Sequence, residues 1–115
     1  MREIKFRAWN DLLKSMYNVS ELYVDSDGKL KELGRFKTIL MQFTGLKDLE
    51  GNEIYEGDIY HQGDSRILYE VVFSDDHSGF VGKQLGSGSL AGLKHFQSAI
   101  AIIGNLYENP ELLEN

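Results

Sequence analysis

Apolar and polar residues alternate over short stretches of the chain, beginning with Ile4, Phe6 and Ala8, which are separated by basic residues. A period of two places successive side chains on opposite faces of a strand, so the pattern predicts a strand with one buried face at about residues 3–9. The β-prone residues 38–43 predict another strand, ending at Thr44-Gly45. Helical periodicity is weak throughout this half of the chain, which favours a mainly β structure.

Turn residues separate these short strands. The sequence Asp-Ser-Asp-Gly at residues 25–28 predicts the tip of a hairpin, because its glycine can adopt a positive φ. Residues 46–53 read as a loop. From residue 53 to residue 106, apolar stretches recur with turn residues between them at a spacing of roughly 8 to 12 residues, which is typical of a small barrel or sandwich.

The last third of the chain holds two further elements. Leu90, Leu93 and Phe96 are spaced three apart and allow one short helical turn up to Gln97. Residues 99–103 form a continuous apolar run, which predicts a strand buried on both faces.

These elements predict a mainly β fold with at most one short helix. We expect an N-terminal β region, residues 1–45, packed on a small SH3-like β-barrel region, residues 53–110, the two together forming one compact unit. A chain of 115 residues is the usual size of one domain. It buries roughly two thirds of its unfolded surface and can fold without a metal or a disulfide.

Composition excludes several classes of protein. The chain has no cysteine, so it has no disulfide scaffold, no thiolate nucleophile and no zinc site with cysteine ligands. Its longest apolar run is far shorter than the roughly 20 residues of a membrane-spanning helix. The charged N-terminal residues lead into no apolar stretch of the kind found in secretory signals. We therefore expect a cytoplasmic protein that makes no contact with a membrane.

The net charge of −6 is distributed unevenly. Residues 1–44 hold eight Lys and Arg against six Asp and Glu, which gives +2, whereas residues 45–115 hold four against twelve, which gives −8. The acidic part should repel nucleic acid, so only the N-terminal part could bind it. The asymmetry also allows copies of the chain to associate head to tail.

Four blocks of sequence stand in order along the chain: EIKFRAW from Glu3, LMQFTGLKD from Leu40, EIYEGDI from Glu53 and IGNLYENPEL from Ile103. Together they resemble the YopX family of phage and prophage proteins, and they frame nearly the whole chain apart from residues 61–99. The resemblance implies a mostly β protein of a bacterial phage or prophage, located in the cytoplasm of the host cell. It implies no biochemical activity for any residue.

The chain departs from the family pattern at two places. Asn10 stands where the family often has aspartate, and His61-Gln62 follows a strand where a more apolar and basic continuation is expected. The shared blocks read physically as turn glycines between alternating strand residues, which indicates a fold signature.

Residues 86–91, Gly-Ser-Gly-Ser-Leu-Ala, fit the G-x-G-x-x-A pattern of dinucleotide-binding loops. That function requires a parallel strand–helix–strand unit, and the alternating pattern upstream predicts antiparallel strands instead. We interpret the segment as a flexible surface loop.

Asp75-Asp76-His77, with His61 and Asp64, offers ligand types that could hold a divalent metal. Adjacent residues of a strand point to opposite faces, and such a string is common in hairpin connections. A solvated turn is the simpler interpretation.

Glu53, Glu56 and Asp58 could serve acid–base chemistry if burial separated their pKa values. The alternative is a turn entering a strand. We therefore assign no catalytic, cofactor-binding or metal-binding residue, and no cofactor.

Basic residues with interspersed aromatic residues mark the N-terminal part, where they could form a face for single-stranded nucleic acid. Acidic residues interleave with them, and aromatic residues in strands more often belong to the core. The residues concerned are Arg2, Lys5, Arg7, Lys29, Lys31, Arg35 and Lys37, with Phe6, Trp9 and Tyr17.

The sequence therefore favours a non-enzymatic phage or prophage accessory protein that self-associates and binds a phage or host protein. A regulatory protein that binds nucleic acid through the basic N-terminal strands is the first alternative. An enzyme is the second, since the candidate side chains lie on separate turns.

Overall fold

The computed structural model describes residues 3–19, 22–32 and 38–113, and most of them lie in short β-strands. The predicted mainly β fold with at most one short helix is confirmed for these ranges. None of their helices is long and apolar enough to cross a membrane. The strands are β1 (Phe6–Asn10), β2 (Ser15–Asn18), β3 (Leu22–Val24), β4 (Leu30–Glu32), β5 (Thr38–Lys47), β6 (Glu53–Tyr55), β7 (Asp58–His61), β8 (Tyr69–Ser74), β9 (Gly79–Gln84), β10 (Leu90–Gly92) and β11 (Ala101–Asn105), and the helix is α1 (Leu93–Phe96).

The first sheet has the antiparallel order β2-β1-β5-β6. Strand β1 lies in its interior, where Ala8 pairs with Tyr17 on one side and with Leu40 on the other. Ala8 and Trp9 are buried, as is Met41 of β5. The N-terminal alternation of apolar and basic residues thus belongs to an inner strand.

The second sheet has the order β10-β9-β8-β7-β11, is antiparallel throughout and curls into a half-barrel. Its core contains Tyr60, Val71, Leu93 and Ile100. Ile54, which lies on β6 of the first sheet, is fully buried in the same core. The two sheets therefore share apolar packing, although their description as two regions stays a prediction.

Three strands differ from the sequence expectation. Strand β1 begins at Phe6 rather than near residue 3, and it is not buried on one face only: Ile4 before it is 71% exposed, whereas the consecutive residues Ala8 and Trp9 are both buried. Strand β5 runs on to Lys47, because Gly45 adopts a φ of +89° within an irregularity of the ladder that bends the strand without ending it. Strand β11 is not buried on both faces, since Ile103 is 42% exposed beside a shift of register. A run of apolar residues does not show which faces a neighbouring element covers.

The hairpin tip at residues 25–28 is confirmed. Gly28 adopts a φ of +81°, and its amide donates to the carbonyl of Asp25 at 3.0 Å. The flanking strands β3 and β4 form a two-stranded sheet of their own, which we call the ribbon (residues 22–32).

Candidate functional site

Strand β1 meets the turn between β6 and β7 at a buried ion pair. Arg7 Nη2 lies 2.8 Å from Asp58 Oδ1, and the two side chains are 12% and 3% exposed. Arg7 also donates to the carbonyl of Glu56 at 3.3 Å, and the Tyr55 amide donates to Asp58 Oδ2 at 2.7 Å. We call Arg7, Tyr55, Glu56, Gly57 and Asp58 the junction, because they join the two sheets.

Gly57 is the backbone link of the junction. Its amide donates to the carbonyl of Val71 at 2.9 Å, and its carbonyl accepts from the amide of Leu106 at 3.0 Å. Its φ is +90°, and an added Cβ would lie 3.0 Å from the sulfur of Met41. Both its conformation and the close approach of Met41 therefore favour glycine at this position.

Asp58 has the chemistry of a structural carboxylate. Burial raises its pKa, while the positive charge of Arg7 and the hydrogen bonds from Tyr55 and Arg7 act in the opposite direction. Each of its oxygens already accepts a hydrogen bond from the protein. Asp58 thus holds β1 against the second sheet.

A polar cleft of about 260 Å³ opens beside the junction. Several of its side chains are already bonded: Asn105 Nδ2 donates to Glu108 at 2.8 Å, and Glu53 pairs with Lys5, which lies outside the lining. Arg7 Nε is buried and has no hydrogen-bond partner among the described residues. The lining residues of the cleft are Arg7, Asn52, Glu53, Asp58, Ile102, Gly104, Asn105, Glu108 and Asn109.

Asp48 organises the loop that precedes β6. Its Oδ1 accepts hydrogen bonds from the backbone amides of Asn52, at 2.8 Å, and Glu50, at 3.0 Å. Its Oδ2 accepts a hydrogen bond from the backbone amide of Ile102 on β11, at 3.3 Å. Burial would raise the pKa of Asp48, but the hydrogen bonds from Asn52, Ile102 and Glu50 outweigh it and lower the pKa. Ionised Asp48 therefore fastens the loop to the second sheet.

This arrangement predicts that Asp48→Asn lowers the free energy of unfolding by about 2 kcal/mol at neutral pH, because an amide cannot accept hydrogen bonds through both of its terminal atoms. The folded pKa of Asp48 lies below the unfolded value of 3.8, so its contribution is full above that pH and is lost as the pH falls through the folded pKa. Urea unfolding at a series of pH values checks this. The prediction is contradicted if the difference in the free energy of unfolding between wild type and variant stays the same at acid pH.

The three carboxylates considered for acid–base chemistry do not share one site. Glu53 pairs with Lys5, and Asp58 pairs with Arg7. Glu56 Oε1 accepts a hydrogen bond from the backbone amide of Gln42 at 3.4 Å. Glu56 and Gly57 form the turn between β6 and β7, as the alternative interpretation of this segment expects.

Asp75, Asp76 and His77 occupy the exposed turn between β8 and β9, where His77 Nδ1 lies 2.9 Å from the hydroxyl of Ser74. Asp64 instead binds Arg66 at 3.0 Å. The described ranges contain no group of three or more acidic and histidine side chains that could hold a metal.

The glycine-rich segment connects β9 to β10, which are antiparallel neighbours. The Gln84 amide donates to the carbonyl of Ser89 at 2.7 Å, and Gly86 and Gly88 both have positive φ. Residues 86–89 of the segment are exposed, as the surface-loop interpretation expects, and the loop belongs to a β-hairpin rather than to a parallel strand–helix–strand unit.

The basic N-terminal residues are divided among several settings. Lys5 pairs with Glu53 of the first sheet, and Arg7 pairs with Asp58 of the second. Trp9 is buried, and Tyr17 is 37% exposed. Lys29 lies in the exposed turn of the ribbon. Arg2, Arg35 and Lys37, together with the side chain of Lys31, lie outside the described structure.

Comparison with known proteins shows a matching family and similar solved structures. The model of the YopX protein family matches residues 5–114. Protein EF1440 from Enterococcus faecalis is 28% identical, with a TM-score of 0.69 over 99% of this chain and 100% of that one. Protein yopX from Bacillus subtilis has the same fold at 24% identity, with a TM-score of 0.60 over 100% of this chain and 98% of that one. No curated protein is similar enough to count as a match. None of the names found states a ligand or a catalytic activity.

Proposed function

The chain belongs to the YopX family, and from this premise we propose that it is a non-enzymatic accessory protein that works by self-association and protein binding. We place it in the cytoplasm of a bacterium that carries the phage or prophage, as the resemblance of the four sequence blocks implies. The part of the chain that supports this proposal is the ribbon.

The ribbon exposes both of its faces. Leu22, Tyr23 and Val24 are 36%, 46% and 64% exposed, although neighbouring residues of a strand point to opposite sides. Among the described residues, β3 and β4 form a ladder only with each other. A two-stranded ribbon is marginally stable in water and gains stability when a further surface covers it. This exposed apolar surface is the observation that carries the proposal.

The surface that covers the ribbon is, we propose, another copy of the chain. The N-terminal part as a whole carries +2 and residues 45–115 carry −8, so opposite charges favour contact between the N-terminal part of one copy and the acidic part of the next. The ribbon itself, residues 22–32, holds three acidic residues against two lysines, so its contribution to the contact is apolar burial.

We expect sedimentation velocity to show dimers or larger species that weaken as salt is added, and Val24→Glu to shift the protein to monomer. The glutamate places a charge on a surface that is desolvated when the copies associate, and burying that charge is unfavourable. Leu49→Glu is the matched control, because Leu49 is also exposed, at 61%, but lies in the loop before β6.

Two results would contradict the proposal. One is a wild-type protein that stays monomeric at every concentration and ionic strength. The other is equal dissociation in the Val24 and Leu49 variants, which would indicate a general effect of added charge.

A further inference from the structure

A continuous groove lies beside the second half of β5. Its larger part, of about 580 Å³, runs along Phe43, Leu46 and Lys47, and it joins a smaller pocket of about 150 Å³ beside Phe73 and Phe80. The two cavities share Thr44, Leu46 and Lys94. They therefore form one elongated depression rather than two separate sites.

The groove is lined by charged and apolar side chains together, and the apolar ones include Phe43, Leu46, Phe73 and Phe80. Phe73 is 50% exposed, and its ring meets that of Phe80 edge-on at 5.3 Å. Leu46 is half-buried in the wall, and Phe43 is buried beneath it with the ammonium of Lys5 4.8 Å from its ring centre. A large exposed phenylalanine beside a concave wall offers a site for an apolar side chain.

Two free cations border this apolar wall. Lys47 and Lys94 are exposed, and neither has an ion-pair partner within the described ranges. They are two of only four basic residues in positions 45–115, which hold twelve acidic ones. Glu3 and Glu53 line the same part of the groove and both pair with Lys5, and Glu53 is also the direct strand partner of Lys47. Lys5, Lys47 and Lys94 together therefore face two carboxylates, which leaves one excess positive charge in an otherwise acidic part of the molecule.

We propose that this groove binds an extended acidic peptide segment of a partner protein, with an apolar side chain against Phe73 and Leu46 and carboxylates beside Lys47 and Lys94. The apolar contact provides most of the affinity, and the two ammonium groups select an acidic sequence. Exposed ion pairs are individually weak, so the complex is of modest affinity and is sensitive to salt. This binding site is separate from the ribbon and goes beyond self-association.

Fluorescence anisotropy with three short labelled peptides tests the proposal on the full chain. One peptide alternates glutamate and leucine, the second alternates lysine and leucine, and the third alternates glutamate and serine. We expect only the first to bind, and we expect its affinity to fall at least tenfold in the Lys47→Glu/Lys94→Glu variant. Lys14→Glu, which changes an exposed lysine outside the groove and the ribbon, is the control and should bind as the wild type does.

The outcomes separate the possible occupants. The proposal is overturned if the acidic leucine peptide shows no binding at about 1 mM, if it binds the double variant equally well, or if the basic peptide binds as tightly. Amide NMR signals of Leu46 and Phe73 that move when the Val24→Glu variant, which should not associate through the ribbon, is diluted without peptide would instead place a second copy in the groove. Far-ultraviolet circular dichroism of the double variant, compared with wild type, verifies that both proteins are folded.

Discussion

Replacing Asp58 by alanine should lower the free energy of unfolding by about 4 kcal/mol, because it leaves the guanidinium of Arg7 buried without its carboxylate. The pair lies 2.8 Å apart, and the Asp58 side chain is only 3% exposed. The change also removes the acceptor of the Tyr55 amide, which holds the turn between β6 and β7. A loss of this size is a large fraction of the stability of a small domain, and equilibrium unfolding in urea measures it.

Two comparisons identify burial of the pair as the cause. Asp64→Ala breaks the exposed ion pair with Arg66 and should cost much less than Asp58→Ala. The double replacement Arg7→Met/Asp58→Leu removes both charges and should be more stable than Asp58→Ala. An Asp58→Ala protein within about 1 kcal/mol of wild type would show that Arg7 finds other partners.

Gly82→Ala should destabilise the protein by about 3 kcal/mol, through a clash inside the core of the second sheet. A Cβ at this position would lie 1.7 Å from the hydroxyl oxygen of Tyr60, whose side chain is fully buried. Tyr60 cannot move away without disturbing its stacking on Tyr69, at a ring separation of 5.2 Å. Thermal and urea unfolding of the variant give the size of the effect.

Removing the Tyr60 hydroxyl should relieve this clash. The Tyr60 hydroxyl has no hydrogen-bond partner among the described residues, so Tyr60→Phe alone should leave the stability unchanged or slightly higher. Combined with Gly82→Ala, it should recover part of the loss, because the nearest remaining ring atom is then 2.9 Å from the Cβ. Gly92→Ala is the control, since its Cβ meets nothing within 4 Å. Equal losses at Gly82 and Gly92 would exclude the clash as the cause.

Local features of the fold were predictable from the sequence because they depend on near neighbours in the chain. The hairpin at Asp25–Gly28 and the loop between β9 and β10 follow from glycines and short polar residues that favour turns. The end of β5 was misplaced for the same reason, since Gly45 produces a bend within a strand as readily as it ends one.

Long-range pairing was not predictable in this way. Lys5 and Arg7 read as members of a basic surface, yet their partners Glu53 and Asp58 lie 48 and 51 residues further along the chain. The exposure of Ile103 likewise depends on which element covers β11, and an apolar run contains no such information. The free lysines of the groove could have been noticed as rare cations in an acidic half, but only the fold places Lys47 near Lys94.

The junction also has a consequence for synthesis on the ribosome. Strand β1 emerges from the ribosome before Gly57 and Asp58, because the carboxylate that neutralises Arg7 lies 51 residues further along the chain. While β1, β2 and β5 are already available, Arg7 still lacks its partner. Because contacts between distant residues form slowly, we expect the two sheets to dock late in folding, once the turn between β6 and β7 has formed.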